Sequence, residues 1–272
     1  MPHIHSSSYG ESRLRMLRVL RKGDRHDPKD LTVALRFEGA AETMVPGEAI
    51  KNLAHRVARG QDYAAIESLG LAMCSRILQE HASIGLARVD IVEQPWARLD
   101  AGGKAQGQAF TPGGVERRTA TVSSNGTRVS VAAGLENLVL LKTTGFAPDD
   151  RGTGAEDAAA DGLQRLFIAT LSARWSYTSG DIAFGPYRQG VRAAIVETFA
   201  WHTGRSVQET LSAIADVVLA SYQEIADVTL SLEERPYRPV DLLELSLDGD
   251  ALFVAHDEPI GVVEITVARD AK

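Results

Sequence analysis

The strongest constraint on this fold is an order of hydrophobic patterns that occurs twice along the chain. Apolar residues alternate with polar ones over 14–19 and 31–37, which predicts two antiparallel strands joined by a polar turn at 22–29. Helical spacing follows over 47–58 and 63–81. The strand-like runs that come next are 87–93, 117–123, 127–131 and 138–142. The first half is therefore predicted to be ββααββ with one extra hairpin.

The second half repeats this order without visible sequence identity to the first. Its strands are predicted near 171–177, 227–232, 240–247, 252–255 and 261–267, and its helices at 187–202 and 206–220. The segment 148–161 is rich in Gly, Asp and Ala, for which a solvated linker is favoured over a lid. We expect a first unit over 1–147, the linker or lid over 148–161, and a second unit over 162–272. Antiparallel strands beside paired helices predict an α+β fold rather than a Rossmann sheet.

Composition excludes several functional classes. The 272 residues are 44% hydrophobic and 24% charged, enough for one large core or two fused halves. Because 29 basic residues face 36 acidic ones, and no long run of one sign occurs, a nucleic-acid partner is not indicated. No segment has the ~20 consecutive apolar residues of a membrane span, and the first residues lack an apolar signal core. We expect a cytoplasmic protein with small-molecule or protein partners.

Metal and nucleotide motifs are also missing from the sequence. No Gly-x-Gly-x-x-Gly follows a strand, and neither a P-loop nor a His-Glu-x-x-His occurs. His55, His81 and His202 have no Cys or His at ligand spacing, so no metal site is expected. The single cysteine, Cys74, lies in an apolar helical pattern that predicts a buried, inert thiol.

Short stretches spread over nearly the whole chain resemble, in register, the sequences of urate oxidases. Each stretch alone is a weak signal, and their shared order carries the resemblance. They are Tyr9-Gly10, Arg13-Leu14-Arg15, Arg18-Val19, Pro46–Asn52, Trp96, Gly103-Lys104, Phe110, Leu140–Thr144, Gln164–Leu166, Ala173–Trp175, Ser206–Thr210, Leu232, Tyr237, Val240–Leu242 and Asp257–Gly261.

The resemblance implies the tunnelling fold (T-fold), with two tandem ββααββ units in each chain. In that family the antiparallel sheets close into a barrel across subunits, the assembly is usually a homotetramer, and the active sites lie at subunit interfaces. The implied activity belongs to purine metabolism: oxidation of urate by dioxygen without a cofactor. The implied partners are a purine-like ligand and further copies of the chain, with neither nucleic acid nor membrane.

The resemblance also implies a purine-binding pair, Arg165 and Gln208, at the positions that grip the edge of urate. A planar guanidinium and a carboxamide suit this task, because an oxidised purine presents adjacent carbonyl acceptors and ring N–H donors. Val207 matches a residue whose backbone amide contacts urate, and Phe146 is a candidate for stacking under the ring. The alternatives are a solvated helix-face arginine, a capping-box glutamine beside Ser206, and ordinary core packing of the phenylalanine.

The catalytic positions of the family are changed in this chain. Glu11 stands where the family has its lysine, and Gly47 where it has the threonine that relays the proton from a neighbouring subunit. Glu48 falls at the adjoining aspartate, Glu234 at the asparagine of the oxygen site, and Pro236 at the nearby histidine. We therefore take Glu11, Glu48 and Glu234 as the candidate catalytic residues.

Charge bears on what such a site can do. A carboxylate ~4 Å from a urate anion opposes it by roughly 4 kcal/mol at an effective dielectric constant of about 20, only partly offset by Arg165. Ordinary uricase turnover is then expected to be slow or absent. Conversely, Glu11 and Glu234 on one face of a bound ring would suit general acid–base work on water. Glu11 or Glu48 would also suit the N–H edge of a guanine-like or pterin-like ligand, as in sister families of this fold.

Three hypotheses remain open at this point. The first is a cofactor-free oxidoreductase on urate or a close analogue, with Glu11 as substitute base, which predicts oxygen consumption and peroxide release. The second is a non-oxidative enzyme that hydrolyses, hydrates or tautomerises a purine-like or pterin-like ring. The third is a catalytically silent relative that binds purines or serves as a structural subunit. An enzyme is favoured over a silent subunit.

Overall fold

The structure is a computed structural model and describes residues 8–39, 44–60, 65–143, 166–203, 206–239, 252–255 and 261–269. Paired strands precede paired helices twice in this part of the chain. The elements are β1 Ser8–Lys22, β2 Arg25–Gly39, α1 Gly47–Gly60, α2 Ile66–Glu80, β3 Ile84–Gln94, β4 Trp96–Ala101, β5 Lys104–Pro112, β6 Arg117–Ser124, β7 Val129–Lys142, β8 Phe167–Tyr177, α3 Phe184–Trp201, α4 Val207–Ser221, β9 Ile225–Arg235, β10 Tyr237–Pro239, β11 Phe253–Ala255 and β12 Gly261–Ala268.

Two predicted boundaries are wrong, both for local reasons. The turn expected at 22–29 is only two residues long, because the polar residues on either side of Gly23-Asp24 continue the β1–β2 ladder. The runs 127–131 and 138–142, expected as separate strands, belong to one strand, β7. Asn137 interrupts their alternating pattern with a left-handed backbone (φ 60°) without ending the strand. The segment 148–161 and the strand expected at 240–247 lie outside the described residues.

The chain folds into two compact units, Met1–Glu136 with Trp175–Arg188, and Asn137–Arg174 with Gln189–Lys272. In the first unit the strand order is β1-β2-β3-β6-β7, and the registered pairs β1–β2, β2–β3, β3–β6 and β6–β7 are all antiparallel. Helix α2 packs on β3 and β6, and α1 packs on α2 and β1. The side chains of β2 alternate, so that Leu31, Val33, Leu35 and Phe37 enter the core.

Cys74 lies at the contact between α2 and this sheet. Its Sγ is 3.6 Å from the carbonyl oxygens of both Ala87 and Val122. Burial raises the pKa of the thiol to about 12, so almost no thiolate forms near neutral pH. The expectation of a buried, inert thiol is confirmed.

The second unit contains the strand order β8-β9-β12, with β9 and β12 antiparallel and α4 packed on both. Helix α4 begins at a Ser206 cap, whose Oγ accepts a hydrogen bond from the Glu209 amide at 3.1 Å. The Arg269 guanidinium donates to the carbonyl oxygens of Leu219, Tyr222 (2.9 Å) and Ile225 (2.8 Å) at the other end. The first turn of α4 is thereby capped locally, and its C-terminal end is held to the residue that follows β12. No helix among the described residues is long and apolar enough to cross a membrane.

One buried carboxyl in the first unit has an unsatisfied oxygen. Glu67, in the first turn of α2, is 1% exposed, and its Oε1 has no hydrogen-bond partner among the described residues. Burial raises the pKa of this carboxyl, and the opposing effects of its own backbone amide and of Arg188 and Arg118 do not cancel that rise. The folded state therefore holds the proton more tightly than the unfolded chain does.

We predict that Glu67→Gln stabilises the protein at pH 8 but not at pH 4. As pH rises past the unfolded-state pKa, the unfolded chain loses this proton first, so the wild type loses stability until the folded carboxyl also ionises. The amide avoids that loss, which we expect to be about 1 kcal/mol, or about 2–4 °C in melting temperature. Thermal unfolding at both pH values measures it. Glu197→Gln on the exposed face of α3 is the control, and a Glu67→Gln variant less stable than wild type at pH 8 would contradict the prediction.

Candidate functional site

The candidate catalytic carboxylate lies where β1 meets the start of α1. The Tyr9 hydroxyl accepts a hydrogen bond from the Val45 amide at 3.3 Å, and its ring meets Phe37 edge-on at 5.7 Å. A Cβ at Gly10 would collide with the backbone carbonyl of Leu35 on β2, so only glycine fits there. Tyr9 and Gly10 thus fix the strand, and with it the position of Glu11, relative to the residues that precede α1.

The backbone immediately after Glu11 leaves the regular ladder. The β1–β2 register shifts between Glu11 and Leu14, and Arg13 has a left-handed φ of 62°. Such a bulge inserts an extra residue into one strand and changes the direction of the neighbouring side chains. A non-glycine residue in this backbone region is strained, and such strain clusters at functional sites.

The Glu11 carboxylate sits against the first residue of α1. A Cβ at Gly47 would collide with its Oε1, so the glycine provides the space that the carboxylate occupies. The Lys51 ammonium, one turn further along the helix, lies 3.8 Å from Oε2. The side chains of Glu11 and Lys51 are 26% and 40% exposed, which leaves the pair accessible from solvent. Glu11 and Gly47, which the sequence resemblance assigns to catalytic positions, are therefore in direct contact within one chain.

Glu48 is also in the first turn of α1 and is exposed. Its carboxylate is favourably placed for the positive end of the helix dipole. Glu48 and Glu11 thus give the helix start two acidic side chains with one nearby ammonium group, that of Lys51.

The predicted purine-binding residues of the second unit lie at the start of α4. Val207 is buried, and the Gln208 side chain faces solvent. The alternative that Gln208 is the capping-box partner of Ser206 is wrong, because the residue three positions after the cap is Glu209. Gln208 instead lies in an open groove of about 590 Å³, which is lined by His202, Ser206, Gln208, Glu209, Ser212, Ala213 and Asp216.

The structure describes one of the three remaining candidates. Glu234 lies near the end of β9, opposite Gly261 of β12, and is half-buried. It belongs to the second unit, and Glu11 belongs to the first. Arg165 and Phe146 lie outside the described residues.

Two residues at this site were not singled out by sequence reasoning. Lys51 and the Tyr9 hydroxyl both belong to stretches that resemble urate oxidases, but nothing in their spacing predicts a contact between β1 and α1. The usable signal for Lys51 was its position four residues after Gly47, which places both on one helix face.

Comparison with known proteins finds uricases that align with nearly the whole chain. The family model described as Uricase matches residues 131–264. The uricase of Arthrobacter globiformis is 26% identical, covering 98% of this chain and 90% of the relative, and that of Danio rerio is 27% identical, covering 97% and 94%. The resemblance to urate oxidases expected from the sequence is confirmed.

Solved uricases share the fold. The crystal structure of uricase from Arthrobacter globiformis superimposes with a TM-score of 0.88 at 24% identity, covering 100% of this chain and 96% of that one. A uricase from Bacillus fastidious gives a TM-score of 0.78 at 17% identity, covering 96% and 93%. The α+β T-fold expected from the resemblance is confirmed. The Uricase family model spans Val207, Gln208 and Glu234, whereas Glu11, Gly47 and Glu48 precede the matched residues.

We predict unequal stability effects for alanine at the two glycines of the site. Gly10→Ala places a methyl group against the Leu35 carbonyl, which cannot move without disturbing the β1–β2 ladder, so we expect a loss of about 2–4 kcal/mol. Gly47→Ala meets only the flexible end of Glu11 and favours the helix, so stability should change by less than about 1 kcal/mol. Urea unfolding of both variants measures the difference. Equal losses would show that Gly47 does not serve as space for Glu11.

Proposed function

We propose that this protein is a cofactor-independent oxidoreductase that binds urate or a closely related oxidised purine at an interface between subunits. The observation that carries the proposal is the exposed Gln208 at the start of α4, directly after the buried Val207, in a chain that uricases match from end to end. In this proposal Gln208 and Arg165 hold the edge of the purine, the Val207 amide adds a third contact, and Phe146 stacks on the ring.

Glu11 takes the place of the family lysine as the base in this proposal. It accepts a proton from the bound purine anion, and the ring then gives two electrons to dioxygen. The reduced oxygen takes up two protons, the one held by Glu11 and one from solvent, and leaves as hydrogen peroxide, while the oxidised ring remains to add water. Glu11 comes from another subunit than Gln208, as the family resemblance implies, and the homotetramer is part of the proposal. Glu48 at the same helix start and Glu234 near the end of β9 are the further candidate acid–base groups.

The Lys51 ammonium group reduces the repulsion expected between Glu11 and a urate anion. A lone carboxylate ~4 Å from an anionic ring costs roughly 4 kcal/mol at a dielectric constant of about 20. An ammonium group 3.8 Å from that carboxylate offsets part of this repulsion, because its attraction for the anionic ring opposes the effect of the carboxylate. An anionic purine is therefore repelled less by the Glu11–Lys51 pair than it would be by Glu11 alone.

The second candidate function is a non-oxidative acid–base enzyme on a purine-like or pterin-like ring. The replacement of the family lysine, threonine, asparagine and histidine by Glu11, Gly47, Glu234 and Pro236 favours it. Glu11 and Glu234 would act on water or on ring protons from one face of the bound ring. A silent purine-binding relative is the third outcome that an assay must distinguish.

We predict that purified protein consumes oxygen when urate is added, with matching loss of the urate absorbance band and release of peroxide. An oxygen electrode, an absorbance trace and a peroxide assay on one sample separate the candidates. An absorbance change without oxygen loss would favour the non-oxidative enzyme. Neither signal, with urate bound, would favour the silent relative.

Gln208→Ala and Arg165→Ala should each weaken anaerobic urate binding by at least about tenfold, because each removes a hydrogen bond to a charged or strongly polar ring edge. Calorimetry without oxygen measures the affinity, and light scattering confirms that the assembly is retained. Gln79→Ala, an exposed glutamine on α2, is the matched control. Unchanged affinity in both variants would contradict the proposed binding residues.

The paired substitution Glu11→Lys with Gly47→Thr tests the altered base. We expect it to raise urate turnover by at least about tenfold over wild type, since general acid–base catalysis contributes factors of this size or more. Gly47→Thr alone should not do so, because its side chain collides with the Glu11 carboxylate. Slower turnover in the paired variant would show that Glu11 is the better base in this site.

A further inference from the structure

Three features of the first unit converge on the Glu11 carboxylate. The bulge between Glu11 and Leu14 sets its direction from the strand, and the missing side chain of Gly47 leaves room for it at the start of α1. Lys51 approaches it from the helix. Side chains on a helix lean toward its N-terminus, so Lys51, one turn after Gly47, can bring its ammonium group back to the first turn.

Stability alone does not account for this arrangement. Ion pairs that remain open to solvent contribute little to folding, and both side chains here keep a substantial exposed fraction. The strained backbone at Arg13 adds a conformational cost next to the same carboxylate. What the ion pair does provide is one preferred orientation of a carboxylate that would otherwise rotate freely.

We propose that Lys51 is a positioning residue that holds the Glu11 carboxylate in the space left by Gly47, in the orientation in which Glu11 accepts the purine proton. The inference rests on the proposed function, since it takes Glu11 as the base. Lys51 acts through Glu11 and does not contact the ring. Its loss should therefore slow the chemical step and leave substrate affinity unchanged.

The test compares the steady-state kinetics of wild type with three single variants on urate. Lys51→Met keeps the length of the side chain without its charge, and we expect kcat to fall about tenfold with KM within about twofold, because a small misplacement of a catalytic group costs this much or more. Lys51→Arg keeps the charge and should recover most of the loss. Lys22→Met, which removes an exposed lysine from the far end of β1, should match wild type.

Gly47→Ala displaces the Glu11 carboxylate independently of Lys51, because its methyl group would occupy the space in which the carboxylate lies. We expect a fall in kcat similar to that of Lys51→Met. In the double variant, kcat should be at most about threefold lower than in either single variant, since both changes displace the same carboxylate. Melting temperatures of the variants should stay within about 2 °C of wild type.

Each other outcome overturns the inference in a distinct way. A higher KM with unchanged kcat in Lys51→Met would mean that Lys51 contacts the substrate. Multiplying losses in the double variant would mean that the two residues act separately. If the wild type does not turn over urate, the proposed function fails and this inference fails with it. If the wild type turns over urate and Lys51→Met is equally fast, the inference alone is refuted.

Discussion

The close approach of β1 to its two neighbours, β2 and α1, is the constraint on which the candidate site depends. On one side Gly10 lets the strand pass against the Leu35 carbonyl, and on the other Gly47 lets a carboxylate lie against the helix. The Tyr9 hydroxyl links the same strand to the Val45 amide just before α1. These contacts hold the backbone at Glu11 beside the start of α1, and the side chain is left to find its place there.

Hydrophobic periodicity was enough to predict most of the elements, because β2 and α2 each bury one regular face. Leu31, Val33, Leu35 and Phe37 alternate as a half-buried strand must, and Leu69, Met73 and Ile77 recur at helical spacing. The single strand β7 was missed because Asn137 breaks the alternation while the backbone pairing continues. Periodicity records which face is buried, and it is insensitive to a residue that changes φ within a ladder.

The site was only partly predictable, for a related reason. Glu11, Gly47, Val207 and Gln208 could be chosen because each matches a position in a known family, and the structure brings the first two into contact. The Lys51–Glu11 pair could not be predicted. Its contact depends on the bulge at Arg13 and on the distance between β1 and α1, and no local sequence pattern encodes either of them. The burial of Glu67 could not be predicted from the sequence either, because an acidic residue in the first turn of a helix is normally exposed and stabilised by the helix dipole.

The residues at positions 11 and 47 depend on one another physically. A carboxylate at position 11 occupies the volume that a side chain at position 47 would need, so any larger residue there displaces it. Glutamate in place of a lysine would by itself reverse the charge at this point, but Lys51 remains 3.8 Å away and keeps a cation beside it. The glutamate at position 11 is therefore part of a carboxylate–ammonium pair. The charge that this pair presents to its surroundings is smaller than that of an isolated carboxylate, because the ammonium group partly cancels it.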